Sequence, residues 1–167
     1  MKTIKSINKI NELAKNDFID IFGNVFEKTK WIADKAFDLK PYKSFNELSS
    51  IIMKIFETSS HQDCLKIFNA HPELVIQKNL TDDSRNEQKN SNLDQCNDAE
   101  FNEFQQLNEK YKKKFGFPFI IFVKGKNKNE ILDNFKTRIK SKIDLEFKET
   151  KKQVKKIANF RLSKIIN

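Results

Sequence analysis

Glycine, proline, cysteine, histidine and arginine are all scarce in this 167-residue chain. It has three Gly, three Pro, two Cys, two His and three Arg. So few turn formers argue against a sandwich or barrel of short strands joined by tight turns. Cys64 and Cys96 lie far apart with no CxxC pair, and two His do not complete a zinc site from these parts, so both thiols are expected reduced and no metal is expected. No apolar run approaches the roughly 20 residues of a membrane span. The opening MKTIKSINKINEL is amphipathic rather than a basic head followed by an apolar stretch, and the closing KIIN carries no peroxisomal or retention tripeptide. The expected setting is therefore the cytoplasm, with no membrane partner. There is no Gly-rich phosphate loop, no Ser/His/Asp arrangement, no internal repeat and no Gly/Ser linker. One domain over residues 1–167 is expected.

The composition that remains favours helices. Apolar residues make up 38% and charged residues 33%, and the 16 Phe would be hard to leave solvated, which excludes intrinsic disorder. A chain this long can bury a real core without a staple. The expected fold is all-α: a compact bundle of about eight helices with one short extended segment near residues 117–123. The net charge is +9 and the pI about 9.4. Residues 1–99 carry 14 cationic and 15 acidic side chains, residues 100–167 carry 18 and 8. Of the 32 cations 29 are Lys, which together with abundant Asn and Ile marks a compositional bias rather than a demand from a polyanion. Aromatic residues are not interleaved with the cations as a base-stacking platform needs, so no nucleic-acid partner is expected. The same bias gives meaning to Arg85, Arg138 and Arg161, because an Arg kept where Lys is the default hints at a need for the planar fork.

Apolar spacing and caps place the elements. Ile7, Ile10 and Leu13 start a first helix, a short helical piece covers residues 18–26, and another covers 31–37. Ser44 with Glu47 opens a helix to about Glu57, and Ser60 can cap the next, which runs to His71 where Pro72 restrains the backbone. The polar stretch 78–95 reads as loop with a helical turn or two. Asn97 with Glu100 caps a long helix ending near Gly116. Residues 128–142 and 144–166 make the last two helices. On the final one Val154, Ile157, Ala158, Leu162 and Ile165 form the apolar stripe. Arg161 lies four residues from both Ile157 and Ile165, on that stripe, where a guanidinium needs a buried carboxylate or a ligand.

Three places can carry chemistry, each with a plainer structural reading beside it. His71 is a general acid or base, or a helix C-terminal His bonded to the last carbonyls. Ser84 and Glu87 form a capping-box pattern, or Glu87 and Gln88 make a carboxylate and amide pair aimed at urea-like groups. Residues 117–123 are core, or a pocket-lining strand whose backbone groups are offered to a polar ligand.

Taken together these segments resemble one family closely, the 2-oxo-4-hydroxy-4-carboxy-5-ureidoimidazoline decarboxylases of urate breakdown. The resemblance rests on FGNVFEKTKWIADKA (22–36), AHPEL (70–74), LTDDSRNEQ (80–88), FNEFQQLNEKYKKKFGFPFIIFVKG (101–125), ILDNFKTRI (131–139) and RL (161–162), in this order. It implies an all-helical homodimer without metal or organic cofactor that decarboxylates its substrate to (S)-allantoin. By the matching motifs, His71 would be the catalytic acid and Pro72 would shape its pocket. Ser84, Arg85, Asn86, Glu87 and Gln88 would bind the substrate, with Glu87 and Arg161 also in the catalytic set. Phe119, Ile120, Ile121, Phe122 and Val123 would line the site and supply main-chain hydrogen bonds, and Arg161 would hold an anionic group. Two other functions fit the residues: a basic helical module binding nucleic acid or protein, and a relative of the same scaffold acting on another ureido carboxylate.

Overall fold

Apolar residues three and four apart fold much of the chain into helices. The computed structural model describes residues 3–75 and 81–166, and among these residues there are nine helices and no strand beyond a single parallel bridge between Ile4 and Ile166. They group into two compact units, residues 1–70 with 155–167, and residues 71–154. The charge asymmetry between the two halves of the sequence is not an asymmetry between units: the first has 15 cationic and 9 acidic residues, the second 17 and 14.

The first unit contains α1 (Ile7–Glu12), α2 (Lys15–Phe22), α3 (Lys30–Phe37), α4 (Phe45–Glu57) and α5 (His61–Ala70), with the C-terminal part of α9 (Ile143–Ile165). Of the stripe expected on α9, Val154, Ile157, Ala158 and Leu162 are buried and Ile165 is half-buried. In this unit Phe18 packs on Phe22, Phe37 and Tyr42, and Phe26 on Phe56. The Asn11 side-chain amide brackets Tyr42, donating to its carbonyl at 2.8 Å and accepting from its N–H at 2.9 Å. Helix α2 ends at Phe22 rather than continuing to Phe26, with Gly23 as its C-cap in the right-handed region. A Cβ at Gly23 would stand 2.4 Å from the Ile19 carbonyl oxygen, so the position admits only glycine without a shift.

The second unit holds α6 (Asp82–Lys89), α7 (Asp98–Phe115), α8 (Lys128–Arg138) and the start of α9. Asn97 with Glu100 and Asn127 with Glu130 form reciprocal capping boxes. Gly116, at φ +80°, ends α7 in the left-handed conformation and donates to the Lys112 carbonyl. Residues 117–123 then run buried and outside any helix, as expected. Helix α8 stops at Arg138, four residues short of the expected end.

Residues 78–80 of the stretch expected as loop with a helical turn or two lie outside the described ones, and its two helical turns are α6. Ser84 is not its cap. Thr81, in extended conformation, accepts the Ser84 N–H at 3.3 Å, which puts Ser84 inside the first turn, and Asp82 and Asp83 favour that positive helix end. Thr81→Ala should lower stability by about 1 kcal/mol while Thr81→Ser keeps it, measured by urea unfolding. Equal stability of the Ala variant would place the helix start elsewhere.

Candidate active site

Helix α5 delivers His71 as the residue after its last, Ala70, and Pro72 keeps the helix from continuing. His71 is 7% exposed, and the turn that follows carries a left-handed β-branched residue, Val75 at φ +61°. A conformation of that kind costs on the order of 1–3 kcal/mol and persists only when its surroundings impose it. Two side-chain amides do so. Gln88 accepts from the Val75 N–H at 3.0 Å and donates to the Glu73 carbonyl at 3.4 Å, and Asn108 of α7 donates to the Leu74 carbonyl at 2.9 Å.

Helix α6 divides its residues by face. Ser84 and Gln88 are buried, Glu87 is half-buried, and Arg85 and Asn86 are exposed, with Arg85 in an ion pair with Asp82 at 3.6 Å. Just past the helix, buried Ser91 donates to the Val123 carbonyl at 2.9 Å. The polar face of α6 therefore touches both the turn behind His71, through Gln88, and the segment 119–123, through Ser91. The structure brings these three pieces into one unit and leaves Arg85 and Asn86 on its outer face.

Within 119–123, Phe119, Ile120, Ile121 and Val123 are buried and Phe122 is half-buried. With no helix and no ladder, side chains must satisfy the backbone. Arg138 donates to the Ile120 carbonyl at 2.8 Å, Gln153 accepts the Phe122 N–H at 2.9 Å, and Ser91 holds Val123. Among the described residues the N–H and C=O of Ile121 make no hydrogen bond, nor do those of Phe119 or the N–H groups of Ile120 and Val123; Ile121 is the residue flanked on both sides by peptide groups that side chains hold. Ile121 is 4% exposed, so a donor and an acceptor of one buried residue are left for something else to meet.

Arg138 was not among the expected site residues, although its being an Arg in a Lys-rich chain signalled it. It is 8% exposed and pairs with Glu146, which is 1% exposed. Its Nε and Nη2 donate to Glu146 Oε1 at 2.9 and 2.6 Å, Nη2 lies 3.3 Å from Thr150 Oγ1, and the guanidinium sits 4.5 Å over the Phe119 ring. Phe135 stacks on that same ring at 3.9 Å. The Tyr111 hydroxyl also donates to Glu146 Oε1; burial first, and that bond second, push the phenol above its ordinary pKa, so it remains a donor at neutral pH.

Arg161 lies in the first unit. It is 3% exposed, its Nη1 is 2.8 Å from the carboxylate of fully buried Glu27, and the same nitrogen donates to the Asn24 carbonyl at 3.1 Å. The buried carboxylate that the apolar stripe called for is Glu27. Among the described residues no three His, Cys, Asp or Glu side chains gather as a metal site.

Comparison with known proteins supplies the family. The model of the OHCU decarboxylase family matches residues 11–163. The chain belongs to that family. It is 40% identical, over 95% of its length, to the uric acid degradation bifunctional protein of Bacillus sp. (strain TB-90), of which it spans 32%. It is 33% identical to the 2-oxo-4-hydroxy-4-carboxy-5-ureidoimidazoline decarboxylase of Haloferax volcanii, covering 95% of this chain and 94% of that one. A crystal structure of (S)-allantoin synthase shares the fold at a TM-score of 0.78, with 24% identity over 97% of this chain and 54% of the other. The chain thus spans about a third of the bifunctional Bacillus relative and nearly all of the Haloferax OHCU decarboxylase.

In this member of the OHCU decarboxylase family the Gln88 tether is the most exposed to test by stability. Gln88→Met removes both bonds to the His71 turn at similar volume and should cost about 1–3 kcal/mol, whereas Asn86→Ala on the outer face should stay within about 0.5 kcal/mol. Chemical unfolding of the two variants side by side decides. Equal losses would mean that the turn does not depend on α6.

Proposed function

We propose that the protein is a cofactor-free carboxy-lyase that converts 2-oxo-4-hydroxy-4-carboxy-5-ureidoimidazoline to (S)-allantoin and carbon dioxide. Family membership supports the reaction. The observation that carries the substrate class is Ile121, a buried residue whose N–H and C=O are both unmet among the described residues, matching the alternating N–H and C=O of a ureido group.

The chemistry needs little machinery. The C–C bond to the carboxylate breaks, carbon dioxide leaves, and the electron pair moves onto the adjacent C=N of the substrate itself, so no external electron sink is needed. The carbon bearing the ureido group then takes a proton on one face, and the proton of the ring hydroxyl, which becomes the carbonyl of allantoin, passes through solvent to the ring nitrogen that received the electron pair, so that one proton is taken up overall. In this reading His71 delivers the proton, from a turn that Gln88 and Asn108 hold in place. Glu87, half-buried on α6, orients the ureido group or the imidazole, and Ser84 and Gln88 complete that wall. Residues 119–123 bind through the main chain. For Arg161 the role of holding an anionic group rests on the closing RL motif and on a guanidinium that Glu27 and the Asn24 carbonyl fix in one orientation. We extend the reading to a cytoplasmic homodimer, as the family resemblance implies; among the described residues no helix is long and apolar enough to cross a membrane.

The test is circular dichroism of allantoin formed from urate through urate oxidase and hydroxyisourate hydrolase, with and without the protein. Rapid build-up of one enantiomer is expected. His71→Ala should lower the enzymatic rate by about 10²–10⁴-fold with the fold intact, the usual contribution of a positioned acid. Arg161→Lys, which keeps charge but loses the fork, should cut turnover by more than about tenfold. A slow racemic product with the wild-type protein would reject this substrate and direct the search to other ureido carboxylates.

A further inference from the structure

The N–H and C=O of Ile121, unmet among the described residues, are flanked by two groups that side chains hold. Ile120 C=O accepts from Arg138 at 2.8 Å, and Phe122 N–H donates to Gln153 Oε1 at 2.9 Å. A trans peptide unit is planar with its C=O and the following N–H pointing in opposite directions. Neither peptide bond around Ile121 is cis. Holding the Ile120 carbonyl therefore fixes the direction of the Ile121 N–H, and holding the Phe122 N–H fixes the direction of the Ile121 C=O. Both point away from the side chains that hold their neighbours.

Those side chains are themselves locked. The Arg138 fork is engaged by Glu146 through Nε and Nη2, leaving Nη1 for Ile120, and its plane rests over Phe119. Tyr111 and Thr150 add bonds to the same cluster, all of it buried. Gln153 is 8% exposed and its amide nitrogen is held by Glu149 at 2.7 Å. A Lys at position 138 would present one nitrogen on a flexible stem, unable to grip the carboxylate and the carbonyl from separate atoms of one rigid plane.

We propose that Arg138 and Gln153 are positioning residues that preset the donor and the acceptor of Ile121 for a ureido-bearing ligand, Arg138 aiming the N–H and Gln153 the C=O. This rests on the reading of 119–123 as the ligand-binding edge. Neither side chain touches the reacting atoms in this account; each acts through one peptide plane.

The experiment compares Arg138→Lys, Gln153→Met and the double variant Arg138→Met/Glu146→Leu with the wild-type chain. Arg138→Met alone would strand the Glu146 carboxylate and unfold the protein, whereas the double variant replaces a buried ion pair by apolar side chains, an exchange that is often neutral for stability. Thermal unfolding identifies the folded variants. In each of these, KM in the coupled allantoin assay should rise about tenfold or more while kcat changes by less than about threefold, the pattern of lost binding with chemistry intact. The Ile121 amide resonance, one sharp peak in the ligand-free wild-type protein, should broaden or split in the same variants while the amides of α7 keep their shifts. A folded double variant or Gln153→Met with unchanged KM and an unchanged Ile121 peak overturns the proposal. A wild-type chain with no turnover, whose Ile121 peak still broadens in the variants, rejects the decarboxylase reading and leaves the positioning role standing.

Discussion

A buried chain segment that is neither helix nor sheet must find partners for its backbone one group at a time, and in residues 117–123 that requirement organises the second unit. Helices satisfy themselves; this segment borrows side chains from Ser91 beside α6, Arg138 on α8 and Gln153 on α9. Each donor or acceptor is costly to bury, and Arg138 costs most because its charge comes along. Glu146, Tyr111 and Thr150 offset that cost with hydrogen bonds, and Phe119 with its ring face. The aromatic cluster of Tyr111, Phe119 and Phe135 forms around this polar knot. Among the backbone groups that these partners leave over in the described residues, the N–H and C=O of Ile121 are the ones oriented by held neighbours on both sides.

The turn after His71 follows the same logic at smaller scale. Val75 sits in a left-handed conformation that a β-branched side chain resists, and Gln88 and Asn108 hold the carbonyls and the amide around it. The buried face of α6 is therefore polar, Ser84 and Gln88, where a helix of this length normally shows apolar residues to a core. A face that is polar and buried at once is a face with bonding duties, here to backbone that cannot bond to itself.

In the first unit a single buried charge pair plays the corresponding part. Arg161 on the apolar stripe of α9 meets Glu27, and both are almost wholly out of water. Alone, either charge would be untenable there; together, with the Asn24 carbonyl accepting from the same Nη1, they are satisfied out of water. Of the three Arg in a chain otherwise supplied with Lys, the two that are buried pair with buried carboxylates, Arg138 through Nε and Nη2 and Arg161 through Nη1, while Arg85, on the surface, makes an ordinary ion pair at 3.6 Å.

The sequence by itself determined that the chain is helical, where most helices begin, that 117–123 leaves the helical state and that Arg161 sits on a core face, because caps, glycines and apolar spacing are local signals acting over one or two turns. The ordered motifs also carried the family. It signalled no more than a helical turn or two somewhere in 78–95, since the periodicity that marks a helix is apolar and α6 buries Ser84 and Gln88; nor did it show that Thr81, not Ser84, is the cap. The choice of Glu27 as partner for Arg161, the knot of Arg138 with Glu146 and Tyr111, and the two unmet groups of Ile121 were decided only by the tertiary structure. Those pairings join residues up to 134 positions apart in sequence, and nothing local records which buried donor will meet which acceptor.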